Sequence, residues 1–403
     1  MVNFVYITAK VPWGHGEEFI IEEILALKEI GAKIFIVPRN PKKVIFHKEA
    51  EYLIDSSLCL PLINSRMIVI FLYYLMVKPQ IWGIILNLFQ HSNNFIILVK
   101  NLIVFPKAVF ILKLVRKKNV DHIHAHWGST TATMAYIISK LSGIPWSFTL
   151  HRWDIKENNM LKEKVKSSKF VRCISENGKN ELLEIIGTDF KKKIKVIHMG
   201  VKITINIEKI NNDEKKYFKI ITPANLLEVK GHRYLIEACS ILVEEGIKNF
   251  ECIFYGKGLI RNELKGLIKK KLLNNYIKMP GMIPHEKLME IYKSENVDII
   301  ILPSINTKNG EHEGIPVSLM EAMAYSIPVI STNTGGIPEL LSNGAGIMIE
   351  EKNPKQLATA ILKLIESKNL REKIGKQGRE RVCKEFNIQK NTRKLLGLFK
   401  YYS

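Results

Sequence analysis

Hydrophobic positions along the chain form two series in which short strand-like runs alternate with stretches of helical spacing. The first series contains six runs typical of strands: Asn3–Thr8, Lys33–Val37, Asp121–Ala125, Trp146–Leu150, Phe170–Ile174 and Lys195–Ile197. Apolar residues at helical spacing lie between several of them, as in Glu17–Ile30 and Thr131–Leu141. Short apolar runs that alternate with helices are expected for parallel strands that are covered on both faces.

The second series follows a polar stretch, Asn206–Lys216, which we interpret as a linker. Its expected strands are Lys219–Thr222, Cys252–Tyr255, Asp298–Leu302 and Pro328–Ser331, and its expected helical regions are Tyr234–Glu245, Arg261–Leu272, His285–Glu295, Pro316–Tyr325 and Pro354–Phe386. A chain of 403 residues is long enough for two domains of ~150–200 residues each. We therefore predict an α/β protein with two parallel sheets, divided into residues 1–203 and residues 204–385.

Three apolar stretches in the first half admit two interpretations. They are Met67–Val77, Ile81–Phe89 and Phe95–Phe110. The first two are too short to span a bilayer, and Lys100 and Lys107 interrupt the third. We expect most of these residues to form buried helices of the first domain. The alternative is an element that lies on a membrane surface.

The chain is strongly basic, which indicates an anionic partner. It has 60 Lys and Arg against 39 Asp and Glu, a formal net charge of +21, part of which we attribute to a general composition bias. Three basic clusters lie in the first half: Lys113, Arg116, Lys117 and Lys118; Lys162, Lys164, Lys166 and Lys169; and Lys191, Lys192 and Lys193. They lack interleaved aromatic residues and a recognition motif, so we do not expect nucleic acid as the partner. An anionic membrane surface and an ordinary solvated face stay equally open for these clusters.

The cysteine and histidine patterns predict a reduced, cytoplasmic protein without a bound metal. The five cysteines are scattered and include no Cys-x-x-Cys pair, so neither a disulfide framework nor structural zinc is expected. The first eight residues lack the basic region of a signal peptide. His124 and His126 alternate at a predicted strand end, but no third ligand is evident, so we prefer a structural role that lines the site.

The segment from Glu313 to Glu321 has the composition of a helix start that binds an anion. Pro316 suits the first turn of a helix, where its missing N–H costs nothing. Gly314 lets the backbone approach a ligand, and the free amides of a helix start attract phosphate. Glu321 can accept hydrogen bonds from a ribose diol, and Glu313 can reach a sugar hydroxyl. A sugar linked to a diphosphate fits this arrangement; the alternative is that Glu313 caps the helix and Glu321 is a solvated surface residue.

This segment resembles the E-x7-E signature of the retaining glycosyltransferases of family 4. Six further segments resemble motifs of that family in the right order: Pro12–Phe19, Asp121–Trp127, Thr149–Ile155, Val196–Val201, Glu228–Gly231 and Gly335–Glu339. The resemblance covers nearly the whole chain and is nearest in character to bacterial exopolysaccharide and colanic acid biosynthesis enzymes. It implies the GT-B fold, in which two Rossmann-like domains with parallel sheets face a central cleft.

The resemblance implies retaining transfer of a sugar from a UDP-sugar or GDP-sugar to a hydroxyl of a glycan or lipid-linked glycan. The acceptor would lie in the first domain and the donor in the second, and a C-terminal helix within residues 386–403 would return to the first domain. No cofactor is expected beyond the donor substrate. Because the sequence contains no Asp-x-Asp pair, the metal-holding motif of another transferase fold, we expect catalysis without a metal. The protein would act in the cytoplasm, either free or in peripheral contact with the inner face of the cell membrane.

Residue by residue, the resemblance implies catalytic roles for Glu313, His151 and Lys230. His151 would contact the transferred sugar, and Lys230 would hold the diphosphate. The implied donor-binding residues are Gly14, Gly16, Asn225, Lys230, Gly256, Glu313, Gly314, Ile315, Pro316, Val317 and Glu321. Gly256 belongs to a Gly-Lys-Gly pattern that also occurs in ordinary tight turns between a strand and a helix.

Three residues depart from the family pattern. Asn225 replaces the arginine that commonly stands five residues before the diphosphate lysine, and an amide cannot supply its fixed charge. Donor affinity is then either weaker, or Arg233 or Lys257 substitutes. Lys202 stands where the family often has Asp, and Arg152 replaces a small residue after the site histidine. Two other functions stay open: a sugar-nucleotide epimerase of the same fold, and a non-catalytic nucleotide-sugar-binding scaffold at the membrane.

Overall fold

The protein folds into two compact units, each built around one parallel β-sheet. The computed structural model describes residues 3–14, 17–42, 44, 45, 47–203, 217–294 and 297–403. The first unit comprises Met1–Met199 and Ile388–Ser403, and the second comprises Gly200–Asn387. The predicted α/β class with two parallel sheets is confirmed. The predicted linker, Asn206–Lys216, lies outside the described residues.

The first sheet has six parallel strands in the order β2-β1-β3-β4-β5-β6. The strands are β1 (Asn3–Thr8), β2 (Lys33–Pro38), β3 (His122–His126), β4 (Trp146–Leu150), β5 (Phe170–Cys173) and β6 (Ile194–Val196). The α-helices of this unit are α1 (Glu18–Glu29), α2 (Ser65–Val77), α3 (Gln80–His91), α4 (Phe95–Ile103), α5 (Phe105–Lys117), α6 (Thr130–Ser142), α7 (Arg152–Glu157), α8 (Leu161–Ser167), α9 (Glu176–Ile186) and, at the chain end, α17 (Ile388–Tyr402). All six predicted runs form strands, because apolar side chains on both faces of these strands pack against helices.

The second sheet is also parallel, in the order β12-β11-β10-β7-β8-β9. Its strands are β7 (Phe218–Pro223), β8 (Phe250–Tyr255), β9 (Ile277–Gly281), β10 (Ile299–Leu302), β11 (Val329–Thr332) and β12 (Ile347–Ile349). Its α-helices are α10 (His232–Glu244), α11 (Arg261–Lys270), α12 (His285–Lys293), α13 (Val317–Ala324), α14 (Ile337–Leu341), α15 (Pro354–Glu366) and α16 (Lys368–Glu385).

Two strands of the second sheet, β9 and β12, do not follow from the sequence pattern. Both lie at the edges of the sheet, where one side of a strand faces away from the ladder. Only Ile277 is buried in β9, which ends in Pro280 and Gly281, and β12 has three residues with Met348 exposed. Neither therefore carries the continuous apolar run by which the central strands are recognised. The region predicted as helical up to Phe386 is divided into α15 and α16.

The last helix, α17, is part of the core of the first unit. The ring of Phe399 is fully buried, with ring centroids 4.8 Å from Phe4, 5.3 Å from His122 and 5.0 Å from His124. Leu395 is also fully buried in the same cluster. Burial of side chains of this size contributes ~1.5–3 kcal/mol each, so α17 contributes substantially to the stability of the first unit.

Two lysines show which part of the long apolar stretch is exposed and which part is buried. Lys100 of α4 is exposed, and its Nζ donates to Glu157 over 3.0 Å. Lys107 of α5 is fully buried, and its Nζ donates to the carbonyls of Pro38 at 2.7 Å, Arg39 at 2.9 Å and Leu60 at 2.8 Å. The buried ammonium thereby satisfies its three donors within the protein. The expectation of a buried helix is correct for α5.

The same expectation is wrong for the outer faces of α2 and α3. Met76 is 78% exposed and Trp82 is 59% exposed, although both helices pack their other faces on the core. By length and composition, Phe95–Lys117 is the one continuous helical segment in the described part of the chain that could span a membrane. Its larger part, α5, is packed in the core of the first unit. Helices α2 and α3 would pass the same criterion only as a pair, and they are bent by 106°.

Candidate functional site

The second sheet has a topological switch point between β7 and β10. From β7 the chain adds β8 and β9 on one side, and from β10 it adds β11 and β12 on the other. In doubly wound sheets, ligands bind in the crevice that opens outside the carboxyl ends of such strands. The loop after β7 carries Asn225 and Lys230, and the loop after β10 carries Glu313. The topology therefore brings the predicted donor-binding loops to the place where this fold binds ligands.

An ion pair joins these two loops. Lys230 Nζ lies 2.5 Å from Glu313 Oε1, and their side chains are 20% and 12% exposed. The loop beside Lys230 is also tied to the other loop through Gly231, because a Cβ there would lie 1.8 Å from the carbonyl oxygen of Pro303. Burial, and next to it the charge of Lys230, lowers the pKa of the adjacent His232 to about 3. The histidine is thus neutral near pH 7, and Lys230 supplies the positive charge.

The start of α13 offers backbone amides beside this ion pair. Pro316 is the N-cap residue, with φ −68° and ψ 121°, and the helix begins at Val317, one residue later than expected. Among the described residues, no protein acceptor is found for the amides of Gly314, Ile315, Val317 and Ser318. The position of a Cβ on Gly314 is open space. A helix N-terminus with free amides carries about half a positive charge and attracts anions.

The two glutamates of the segment are held by protein partners. Glu313 pairs with Lys230, so the alternative in which it caps α13 is not found. Glu321 lies in the second turn of α13, is 15% exposed in its side chain, and accepts a hydrogen bond of 2.7 Å from Nε2 of His285. Glu321 is therefore not the solvated surface residue of the alternative interpretation. Glu313 precedes the free amides and Glu321 follows them in the same segment.

The Gly335-Gly336 turn supports the loop of Glu313 from behind. A Cβ on Gly335 would lie 1.9 Å from the carbonyl oxygen of Glu313, and a Cβ on Gly336 would lie 2.7 Å from Cγ1 of Ile315. The amide of Gly336 donates to the carbonyl of Gly314 over 3.2 Å. Only glycine allows this approach of two backbones. The motif was recognised in the sequence, but its supporting role needed the three-dimensional contacts.

Gly256 and Asn225 occupy different surroundings in the second unit. Gly256 is buried, its amide donates to the carbonyl of Gly281 over 3.0 Å, and a Cβ would lie 2.0 Å from the carbonyl oxygen of Ala224. These contacts support the tight-turn interpretation of the Gly-Lys-Gly pattern. The side chain of Asn225 is exposed. Arg233, a possible substitute for the missing arginine, is exposed and lies 3.9 Å from Glu263.

The first unit brings together motif residues at the carboxyl ends of β1, β3 and β4. Glu17 is buried, and its carboxylate accepts hydrogen bonds from the amides of Lys10 at 2.6 Å and Val11 at 3.0 Å. It also accepts one from the indole N–H of Trp127, which follows β3. Glu17 therefore fixes the loop after β1, a role that sequence reasoning missed.

Of the two glycines predicted in that loop, Gly14 lies within the described residues. Gly14 has φ +123°, and its amide donates to the carbonyl of Val44 over 3.1 Å. A Cβ there would approach the side chain of Lys10 to 3.0 Å. The backbone conformation favours glycine at this position. Gly16 lies outside the described residues.

His151 follows β4 and belongs to a buried chain of hydrogen bonds. Its Nε2 lies 2.8 Å from Nε2 of His126, and Nδ1 of His126 lies 2.8 Å from the hydroxyl of Tyr6. The hydroxyl of Tyr6 donates to Glu23 over 2.8 Å, and Glu23 pairs with Arg172 at 2.5 Å. The described histidines of β3 thus have protein partners, which agrees with the structural role expected for them.

This series of hydrogen bonds determines which ring nitrogen of His151 carries the proton. Because Tyr6 donates its only proton to Glu23, the hydroxyl oxygen must accept from Nδ1–H of His126. Burial lowers the pKa of His126 well below its ordinary value, so His126 is neutral and its Nε2 is an acceptor. His151 must then donate from Nε2. Burial, followed by the charge of Arg172, lowers the pKa of His151 to about 3, so its Nδ1 carries a lone pair near pH 7.

The sequence positions of Glu23 and Arg172 indicate buried charges, but they do not identify the partners of these charges. Glu23 occupies a position on the apolar stripe of α1 that otherwise contains Ile20, Ile24 and Leu27. Arg172 is a buried cation within the strand β5. A charged residue at an apolar position indicates a buried partner, but the partner is 149 residues away in the chain. Spacing along the sequence cannot identify it.

A cavity of about 400 Å³ opens beside the end of β4 in the first unit. Its lining residues are Trp127, Ser129, Trp153, Asp154, Lys156 and Glu157. Asp154 accepts hydrogen bonds from the amides of His151 at 2.9 Å and Ser129 at 3.1 Å, and burial raises its pKa to about 7. A concave surface with aromatic rings and a few polar groups suits a small polar ligand. Within the described residues, no group of three or more His, Cys, Asp and Glu side chains could hold a metal ion.

Two models of known families match the chain, together over residues 87–381. Residues 203–381 match the model for "Glycosyl transferases group 1", and residues 87–204 match the model for "Glycosyltransferase Family 4". The chain is 36% identical over 210 residues to the putative colanic acid biosynthesis glycosyltransferase WcaL of Salmonella typhimurium, covering 51% of each chain. It is 34% identical over 197 residues to the amylovoran biosynthesis glycosyltransferase AmsK of Erwinia amylovora, covering 49% of this chain and 48% of that one. The match spans about half the length of these curated relatives.

Solved structures share the fold along the whole chain. A glycosyltransferase from Rickettsia africae has a TM-score of 0.70 at 21% identity and covers 100% of this chain and 98% of its own. Anabaena HepE in complex with UDP has a TM-score of 0.74 at 15% identity, with coverage of 99% and 100%. Identities this low establish the fold alone, and the family models add the relationship in sequence. The chain therefore carries the domains of the group 1 and family 4 glycosyltransferases and has the GT-B fold.

Proposed function

We propose that this chain transfers a sugar from a UDP-sugar or GDP-sugar to a hydroxyl of a glycan or lipid-linked glycan, with retention of the anomeric configuration. The observation that carries the proposal is the Lys230–Glu313 pair beside the free amides at the start of α13. A cation and unpaired amides together match a diphosphate, and a carboxylate matches a sugar hydroxyl. The names of the relatives WcaL and AmsK support an acceptor from polysaccharide biosynthesis.

The proposed mechanism rests on the leaving diphosphate. As the bond to the sugar breaks, negative charge grows on the diphosphate, and Lys230 and the amides of Gly314, Ile315 and Val317 are placed to stabilise it. Such preorganised donors typically contribute 10²–10³-fold each to a rate. Glu313 would position the sugar of the donor at the second unit. His151, with the lone pair of Nδ1, is the proposed sugar contact of the first unit. The reaction would take place in the cytoplasm.

The proposal predicts that donor binding needs no divalent metal. Lys230 and the helix start supply positive charge where a metal ion would otherwise neutralise the diphosphate. A thermal-shift screen of UDP-sugars and GDP-sugars in EDTA should find a donor that stabilises the protein; a ligand at 100 times its dissociation constant adds ~2.7 kcal/mol. The metal-independent proposal fails if stabilisation appears only after Mg²⁺ or Mn²⁺ is added. The whole proposal fails if no nucleotide sugar stabilises the protein under either condition.

A further inference from the structure

Helices α2, α3 and α4 carry apolar side chains on their outer faces as well as their inner ones. The inner face of α2 packs on the core through Met67, Phe71 and Tyr74. Its outer face also consists of large apolar side chains, at a spacing of about one turn: Ile68, Val69, Leu72, Tyr73, Met76 and Val77. A helix on the surface of a soluble protein normally presents polar residues on its outer face, and one that is apolar all round is normally covered. We therefore expect the outer face of α2 to be covered by another molecule.

Helices α3 and α4 continue the same surface. Trp82, Leu86 and Phe89 are 54–59% exposed on α3, and Phe95 and Ile96 are 77% and 67% exposed on α4. In the described part of the chain, 12 of the 24 exposed large apolar side chains lie between Ile68 and Ile103. Soluble monomers rarely expose large apolar areas without a binding role. We call the exposed sides of these three helices the outer face.

The segment of the chain that carries the outer face has charged residues of one sign only. Between Ser56 and Val120 the sequence contains no Asp or Glu, but it contains eight Lys and Arg residues. Arg66 and Lys78 are exposed at the two ends of α2. This combination of apolar side chains, aromatic rings and cations is the composition of a surface that lies in the headgroup region of an anionic bilayer.

A second copy of the chain would fit this surface poorly. A two-fold interface places the same patch of both subunits face to face. The cations at the ends of α2 would then approach like charges, with no carboxylate from the same segment to compensate them. An anionic leaflet instead offers opposite charge at the rim and hydrocarbon for the centre.

We propose that the outer face of α2, α3 and α4 inserts into the interfacial region of an anionic membrane and attaches the first unit to it. The helices lie along the surface and do not cross the bilayer, because their inner faces are occupied by the core and α2 and α3 are bent by 106°. Exposed Trp82 would lie at the headgroup level, where tryptophan is enriched. Helix α4 also borders the cavity of the first unit, since Lys100 pairs with Glu157 of its lining. If the proposed function is correct, the acceptor cavity thus adjoins the membrane.

Vesicle binding tests this proposal without any nucleotide sugar, so its outcome is separate from that of the proposed activity. The full chain should sediment with vesicles of 30% phosphatidylglycerol in phosphatidylcholine. The variant Leu72→Gln/Met76→Gln/Leu86→Gln should reduce the partition coefficient at least tenfold. The matched control, Leu272→Gln/Met282→Gln/Met348→Gln, replaces exposed apolar residues of the second unit and should bind as the wild type does. Circular dichroism checks that both variants fold.

Two further measurements separate insertion from other contacts. In 1 M salt, where the Debye length is ~3 Å, binding by charge alone would be lost, but binding through the outer face should weaken and persist. Lipids brominated in the acyl chain should quench tryptophan fluorescence, and Trp82→Phe should remove most of that quenching. The proposal is overturned if the outer-face variant binds vesicles like the control. It is also overturned if the wild type shows no binding, or if sedimentation shows a dimer that the same variant dissociates.

Discussion

Lys230→Met should weaken the binding of UDP or GDP by about 10- to 100-fold, whereas Glu313→Gln should leave that affinity unchanged or raise it. A charge-assisted hydrogen bond is worth ~1.5–3 kcal/mol, and its loss accounts for the first effect. The second effect follows from the ion pair, because neutralising Glu313 releases Lys230 from a partner 2.5 Å away. Titration calorimetry measures both affinities directly.

The rate of sugar transfer should also distinguish the role of Glu313 from that of Lys230. Glu313→Gln should lower the rate of sugar transfer by at least 100-fold, because the carboxylate that positions the sugar is lost while the diphosphate stays bound. The matched control is Lys278→Met with Glu251→Gln, a second ion pair of the same unit. Glu251 lies at the amino end of β8, whereas the proposed site lies at the carboxyl ends of the strands, so neither change should affect binding or rate. Equal losses of nucleotide affinity in Lys230→Met and Glu313→Gln would contradict the assignment of separate roles.

Acidification from pH 7 to pH 5.5 should lower the free energy of unfolding of the first unit by about 3 kcal/mol. Burial lowers the pKa of four histidines of this unit: His122, His124, His126 and His151. Each of them is neutral in the folded protein but takes up a proton in the unfolded chain once the pH falls below about 6.5. Their contribution to stability is therefore present above pH 6.5 and is lost as the pH falls toward 3.

One buried carboxyl acts in the opposite direction. Burial raises the pKa of Asp154 to about 7, so its folded form gains a proton before its unfolded form does, and acidification favours folding at this residue. Each histidine contributes about 1.2 kcal/mol between pH 7 and 5.5, and Asp154 offsets roughly 1.6 kcal/mol of the sum. The histidines dominate because there are four of them. The net loss in the free energy of unfolding is about 3 kcal/mol.

Urea unfolding followed by tryptophan fluorescence measures this loss in the first unit. All five tryptophans, Trp13, Trp82, Trp127, Trp146 and Trp153, belong to that unit. His124→Gln should reduce the pH dependence by about one proton, whereas His91→Gln, at an exposed position on α3, should leave it unchanged. An unfolding free energy that stays constant or rises on acidification would show that the buried histidines are not held in the neutral form.

The sequence was most informative where side chains are buried on both sides of a strand. The central strands carry continuous apolar runs, and their bounds follow closely from the pattern. The edge strands β9 and β12 lack such runs and were missed. The outer face of α2 was misjudged for a related reason. Its side chains are apolar, and composition does not distinguish a helix covered by its own protein from one that needs another partner.

The candidate site was predictable at the level of motifs but not of contacts. The resemblance pointed to Lys230 and Glu313 individually, and the topology of the second sheet explains why their loops meet. Nothing in the spacing revealed that the two side chains pair, or that Gly335 and Gly336 support the loop of Glu313. The pairing of Glu23 with Arg172 depends on the packing of α1 against the sheet. Such contacts join residues far apart in the chain, and one sequence contains no record of them.

The central claim is sugar transfer from a nucleotide sugar, and product analysis tests it most directly. The chain is incubated in EDTA with the donor identified by binding and with lipid-linked glycan acceptors, and the products are analysed by mass spectrometry and by NMR of the anomeric proton. We expect the acceptor to gain the mass of one sugar, one nucleoside diphosphate to be released for each sugar transferred, and the anomeric configuration of the donor to be retained. Conversion of the donor to an isomeric sugar nucleotide, or binding without any glycosylated product, would contradict the account.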